Sequence, residues 1–193
     1  MSIKLNLGGG KTWHEEGWVN LDRGLDGYDL SDRLLTPFGN GSVDLIFTAH
    51  CLEHLTFENA ALLLVDCHRV LVPGGVFRLV LPDMNDVANI YLTEEKREKV
   101  KIWFGWNYYM GHPSTINKVH DHRSHYTHTT LRIALWLSGF GNDHIIVSSP
   151  LQSMEPEMRK PIVLADVDGY IKAQSGFDNM GGGQIYMEAQ KDA

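Results

Sequence analysis

Cysteine is scarce. Cys51 and Cys67 are the only two in 193 residues, and both sit in apolar surroundings. That leaves no disulfide framework, and the pair reads as buried reduced thiols of a cytosolic protein. Positive charge is also in short supply. Lysine and arginine number 17 against 24 acidic residues, a formal net charge of −7. This argues against a broad electrostatic grip on nucleic acid or on an anionic membrane, while leaving room for a local basic patch. No apolar run approaches the roughly 18 residues that a membrane helix needs. The start, Met1-Ser2-Ile3-Lys4-Leu5, has no basic-then-apolar leader. Internal repeats and low-complexity tracts are missing too. What remains, with 43% hydrophobic and 21% charged residues, is the composition of one ordinary globular domain over residues 1–193, expected in the cytoplasm.

The chain is organised around Lys4-Leu5-Asn6-Leu7-Gly8-Gly9-Gly10 and the acid it leads to, Asp22. Lys4–Leu7 reads as a short buried strand that the glycines break at once. A second strand-like piece, Trp18-Val19-Asn20-Leu21, ends in Asp22. In an open α/β sheet, glycines let the backbone come close to a nucleoside, and a carboxylate on the next strand accepts from the ribose hydroxyls. On these residues alone a plain strand-exit turn is an equal reading. Residues 8–17 are too short for the usual parallel crossover of about a dozen residues or more, so the first helix is expected to be shortened or replaced by a loop. Lys11, Trp13 and His14 in it form a lid edge or plain surface.

Tyr28-Asp29-Leu30-Ser31-Asp32 is a candidate third strand end. The turn formers Pro37-Phe38-Gly39-Asn40-Gly41 precede a fourth strand, Ser42–Phe47, whose apolar run suits burial on both faces. Thr56 is a good N-cap, and Phe57, Ala60, Ala61, Leu64, His68 and Leu71 make one face of a helix stopped by Pro73-Gly74-Gly75. Val76–Leu81 is a fifth strand ended by Pro82-Asp83. Residues 86–106 look helical, with an aromatic end, Trp103–Tyr109, that reads as core, substrate wall or interface of a homo-oligomer. A histidine-rich loop follows, with His112, His120, His122 and His125. Thr127 caps another helix, with Leu131, Ala134, Leu135 and Ser138 on one face and Gly139 beyond its end. Ile145–Ser148 is a sixth strand, and Gln184–Ala189 the last, closing a terminal antiparallel hairpin. The expected fold is an open α/β sheet, mostly parallel, with one antiparallel C-terminal strand.

Six segments in order resemble the class I S-adenosylmethionine-dependent methyltransferases, across nearly the whole chain and closest to the small generic, type 11-like members. They are Leu7-Gly8-Gly9-Gly10, the strand ending in Asp22, the loop Pro37–Ile46, His50-Cys51-Leu52-Glu53-His54-Leu55, the turn Arg69–Val76, and Ser138-Gly139-Phe140. The resemblance implies a Rossmann-like sheet with S-adenosylmethionine as cofactor, held by Leu7, Gly8, Gly9, Gly10, Asp22, Asp29, Leu30, Ala49 and His50. Asp32 competes with Asp29 for the adenine side, and Asn6 stands where many relatives carry an acid. Some similar proteins sit among polysaccharide and surface-glycan synthesis enzymes, so the expected acceptor is a small molecule or a glycan.

Such enzymes hold a nucleophile in line with a sulfonium methyl group, and positioning of this kind is worth on the order of 7–11 kcal/mol. A base is needed only where the nucleophile must lose a proton, for a factor of about 10²–10⁴. His54, Asp83 and His122 are the candidates for binding or deprotonating the acceptor. Bracing of the helix start is the plainer reading of Glu53 and His54. His120, His122, His125 and His128 match no familiar zinc spacing, so no metal is assigned. Two other readings of the glycines and Asp22 stand beside the enzyme: a non-catalytic S-adenosylmethionine-binding module, and a nicotinamide-dependent oxidoreductase.

Overall fold

The most apolar runs form the middle of a six-stranded sheet with the order β2-β1-β3-β4-β6-β5. The computed structural model describes residues 2–9, 16–23, 28–30, 35, 37–85, 88–89, 122–149, 153–155 and 184–192. Strands β1 (Lys4–Leu7), β2 (Val19–Leu21), β3 (Val43–Ala49) and β4 (Leu71–Pro82) run parallel, with β1 between β2 and β3. Strand β6 (Gln184–Gln190) lies antiparallel between β4 and β5 (Ile145–Val147). This is the expected class: mostly parallel, with one antiparallel C-terminal strand. Residues 8–18 are all that link β1 to β2, so the first crossover is short, as read. Among the described residues no helix is long and apolar enough to cross a membrane.

Helix α1 (Phe57–Val70) begins where the Thr56 hydroxyl accepts from the Asn59 amide at 3.3 Å. It buries Ala60, Leu63, Leu64, Cys67 and Val70. The expected face was turned by part of a helical turn. Phe57 is 60% exposed and Ala61 is exposed, because Leu62, Leu63, Leu64 and Val65 are all apolar and periodicity cannot choose among them. Helix α2 (His128–Leu137) follows the expected start, with a capping box between Thr127 and Thr130. Its buried residues are Leu131 and Leu135, and Gly139 takes the left-handed conformation past its end (φ 112°).

Two further expectations shift. Tyr28–Leu30 is not a strand. Its neighbourhood is rich in Asp and Gly, which suit loops, and Ser31 and Asp32 lie outside the described residues. The turn Pro73-Gly74-Gly75 bulges out of β4 rather than preceding it: Val43 pairs with Leu71, but Leu45 already pairs with Val76. Of the expected 86–106 helix, only residues 88–89 are described, and they are helical, as are Met84 and Asn85 just before them. The aromatic stretch 103–109 lies outside the described residues.

One charged pair is sealed inside this sheet. Arg78 and Glu188 are cross-strand partners on β4 and β6 and almost fully buried, at 1% and 0% exposed. The guanidinium binds Glu188, the Ser148 hydroxyl (2.8 Å) and the Ser149 carbonyl (2.7 Å), and the Met154 amide donates to the other Glu188 oxygen at 2.7 Å. Breaking such a pair strands a buried charge, whereas replacing both partners with apolar residues is often neutral. Glu188→Ala is expected to lose about 3–5 kcal/mol in urea denaturation, and the double variant R78M/E188L to recover most of it.

Candidate active site at the strand tips

The pairing Leu7↔Leu21 sets the first part of the site. It places Gly8 and Asp22 side by side, each one residue past its strand. The Gly8 amide donates to the Leu21 carbonyl at 2.9 Å and holds the two ends together. Gly8 has φ 69°, and a Cβ built there would lie 2.4 Å from Cys51 Sγ. Only glycine fits between the β1 tip and the turn that follows β3. One residue before, Asn6 is buried and donates from its side-chain amide to Asn20 Oδ1 at 2.9 Å. A neutral amide pair thus stands near the tips of β1 and β2.

The second part is built on that turn. His50 is the one described non-glycine residue with positive φ (52°), which reverses the chain as it leaves β3. The 3-10 turn Leu52–His54 follows. It is stitched to the segment leading into α2: the Arg123 and Ser124 amides donate to the Glu53 carbonyl at 2.7 and 3.1 Å, and the Ser124 hydroxyl donates to the Leu52 carbonyl at 3.1 Å. A bridge between Asp83 and Tyr126 ties the same segment to the end of β4. The result is that His54 and His122 meet edge to face, ring centroids 4.9 Å apart, with His122 6.5 Å from His125. Beside them is a small solvent-open cleft lined by Glu53, Pro82, Met84, His122, Ser124, His125 and Tyr126.

A polar chain orients these groups. The Tyr186 hydroxyl donates to Gln184 Oε1 at 3.0 Å, so the amide nitrogen of Gln184 faces His50 Nε2, 3.1 Å away. That assigns the His50 proton to Nδ1, which lies 3.2 Å from Glu53 Oε1. Glu53 is 2% exposed, and neither carboxylate oxygen has a well-aligned hydrogen bond among the described residues. Burial works to raise its pKa, but His50 and then His54 outweigh it, and the net direction is down. Burial lowers His122 to about 4 against the pull of Glu53, helped by His54, His125 and His50, so the ring is neutral near pH 7. The Cys51 thiol is pushed up to about 12 by burial and by the charges of Glu53 and Asp22, which keeps it protonated.

The sequence-derived residues therefore gather at two adjoining places. Leu7, Gly8, Gly9 and Asp22 lie at the tips of β1 and β2, and Ala49 and His50 at the end of β3. Asp29 pairs with Arg23 at 3.3 Å, and Leu30 is buried. Gly10, Lys11, Trp13, His14, His112 and His120 lie outside the described residues. Asp83 is occupied: one oxygen accepts from the Asn85 amide at 2.9 Å and the other meets His128 Nδ1 at 3.1 Å. Sequence reasoning missed Gln184, which sits 134 residues from His50 with no local signal to join them. It also treated Glu53 as a brace, although the Glu-His pair after a strand was visible.

This architecture is Rossmann-like and shares its fold with solved S-adenosylmethionine-dependent methyltransferases. A family model described as a methyltransferase domain matches residues 25–79. An uncharacterized methyltransferase of Synechocystis is 43% identical over 44 residues, 23% of this chain and 21% of that protein. A methyltransferase from Archaeoglobus fulgidus superposes with TM-score 0.54 at 15% identity, over 98% of this chain and 86% of the other. Phosphoethanolamine N-methyltransferase 2 of Haemonchus contortus, solved with S-adenosyl-L-methionine, gives TM-score 0.52 at 14% identity, over 100% of this chain and 50% of the other. The chain thus spans about a fifth of its curated relative and half of that last structure. At 14–15% identity these solved structures share the fold with this chain.

The approach of Gly8 to Cys51 can be measured. Gly8→Ala combines a left-handed backbone cost of about 1–2 kcal/mol with overpacking of about 1–3 kcal/mol. Urea denaturation is expected to show a loss of roughly 2–5 kcal/mol; a smaller loss would mean that the two segments are not pressed together.

Proposed function

We propose that this chain transfers the methyl group of S-adenosylmethionine to a small-molecule or glycan acceptor. The observation that carries the reading is the juxtaposition of Gly8 and Asp22 at paired strand tips, next to the His50–His54 turn. In this reading the carboxylate of Asp22 accepts from the ribose hydroxyls, and Leu7, Gly8, Gly9, Gly10, Ala49 and His50 line the rest of the cofactor, with Asp29 and Leu30 on the adenine side. An acceptor in the neighbouring cleft would attack the methyl carbon. Its bond to carbon forms as the sulfonium–carbon bond breaks, and S-adenosylhomocysteine leaves. His54 and His122 stand where an alcohol or ammonium acceptor would release its proton, and a neutral imidazole can take it. Asp83, engaged by His128 and Asn85, is better suited to orienting this segment than to proton transfer.

Isothermal titration tests the reading. The chain is expected to bind S-adenosylmethionine saturably and NAD not at all. Asp22→Ala should weaken binding roughly 10- to 150-fold, the worth of a charged hydrogen bond of about 1.5–3 kcal/mol. His54→Ala should keep cofactor binding and slow turnover. A cofactor affinity unchanged by Asp22→Ala would overturn the assignment of the sugar site, and binding without turnover on any acceptor would leave a cofactor-sensing module.

A further inference from the structure

We propose that Glu53, His54 and His122 form a binding site for one divalent transition-metal ion, with zinc the foremost occupant. One donor atom from each of the three lies within 4.8 Å of the other two. They come from two segments that the hydrogen bonds to the Glu53 and Leu52 carbonyls clamp together. The carboxylate is the second, independent observation. A 2%-exposed Glu whose two oxygens lack aligned hydrogen bonds among the described residues is costly unless something charged faces it. His50 Nδ1 approaches only Oε1, which leaves Oε2 for an ion and gives the carboxylate an outer partner of the sort that orients metal ligands.

The donor chemistry selects the ion. Two imidazole nitrogens with one carboxylate oxygen suit zinc and its transition-metal neighbours, whereas calcium and magnesium prefer all-oxygen shells. Three protein ligands with further positions open is the arrangement of reactive rather than structural zinc. Here the open side faces the cleft lined by Met84, Ser124, His125 and Tyr126. Bonds of about 2.0–2.2 Å would put tetrahedral donors roughly 3.3–3.6 Å apart. The present donors lie within 4.8 Å of one another, so binding would draw them closer by side-chain rotation. An imidazole that holds an ion cannot also take a proton. In the loaded state the ion would instead lower the pKa of an acceptor hydroxyl bound to it. That role rests on the methyltransferase reading; the binding does not.

The experiment uses the full chain, stripped with chelator and titrated calorimetrically with Zn²⁺, and with Co²⁺ for its visible ligand-field bands. One ion per chain is expected, with cobalt bands of a nitrogen- and oxygen-bound, low-coordinate site. Glu53→Gln and His122→Ala should each weaken binding at least as much as loss of an outer-shell partner does, about 10- to 100-fold. His144→Ala, at an exposed histidine paired with Asp192, should change nothing. If circular dichroism shows that Glu53→Gln does not fold, His54→Ala takes its place. No saturable site, or binding that survives these substitutions, would overturn the proposal. S-adenosylmethionine binding measured on the same samples separates the two readings: cofactor without zinc removes the metal alone, and zinc without cofactor removes the transferase alone.

Discussion

The close approach of Gly8 to Cys51 is the constraint on which the site depends. Two strands carry their tips to the same edge of the sheet, and the turn after β3 must cross that edge to begin its 3-10 turn. With Cys51 Sγ 2.4 Å from where a Cβ would stand, the crossing is possible only over a glycine. The same contact puts Asp22, paired beside Gly8, within electrostatic reach of Cys51 and thus close to His50 and Glu53. In the methyltransferase reading proposed above, cofactor and acceptor would lie on either side of one wall, the backbone of residues 50–54.

What was legible in the sequence followed from local chemistry. The glycine run, the β3 apolar run, the Thr56 and Thr127 caps and Gly139 each declare a boundary through the residue's own conformational preference, and each holds. The third strand failed for a reason equally local: Tyr28-Asp29-Leu30 has too few strand-favouring residues beside its acids and glycine. The α1 face held at Ala60, Leu64 and Leu71 but not at Phe57 and Ala61, because four consecutive apolar residues erase the period. Only packing against the sheet decides that Leu63 and Leu64 go in while Leu62 and Val65, about half exposed, stay out.

The site was legible by residue type but not by partnership. His54 and His122 were both named as candidates, yet nothing in a linear reading joins residues 68 positions apart, and the sequence search for metal ligands looked only within residues 112–128. The grouping arises from three hydrogen bonds onto the carbonyls of a single 3-10 turn. Backbone carbonyls carry no side-chain signature, so this step is invisible until the fold is known. The same holds for Glu53, whose role changes from helix brace to buried, under-satisfied carboxylate once the segment from 122 to 126 closes over it.

The buried Arg78–Glu188 pair ties stability to this geometry. Its members face each other across β4 and β6, and the same register sets Gln184 opposite Pro82 at the tip of the sheet. A slip of one residue would turn Gln184 and Tyr186 to the other face of the sheet. His50 would then lose the amide that assigns its proton, and Glu53 the imidazole that approaches it. An apolar pair at 78 and 188 could match the stability, but it would accept neighbouring registers more readily than a charge that must find its partner. Buried charges of this kind add little net free energy over apolar packing, and in this register the guanidinium meets its carboxylate partner. Through β6 the same register brings Gln184 against the His50 ring at the end of β3.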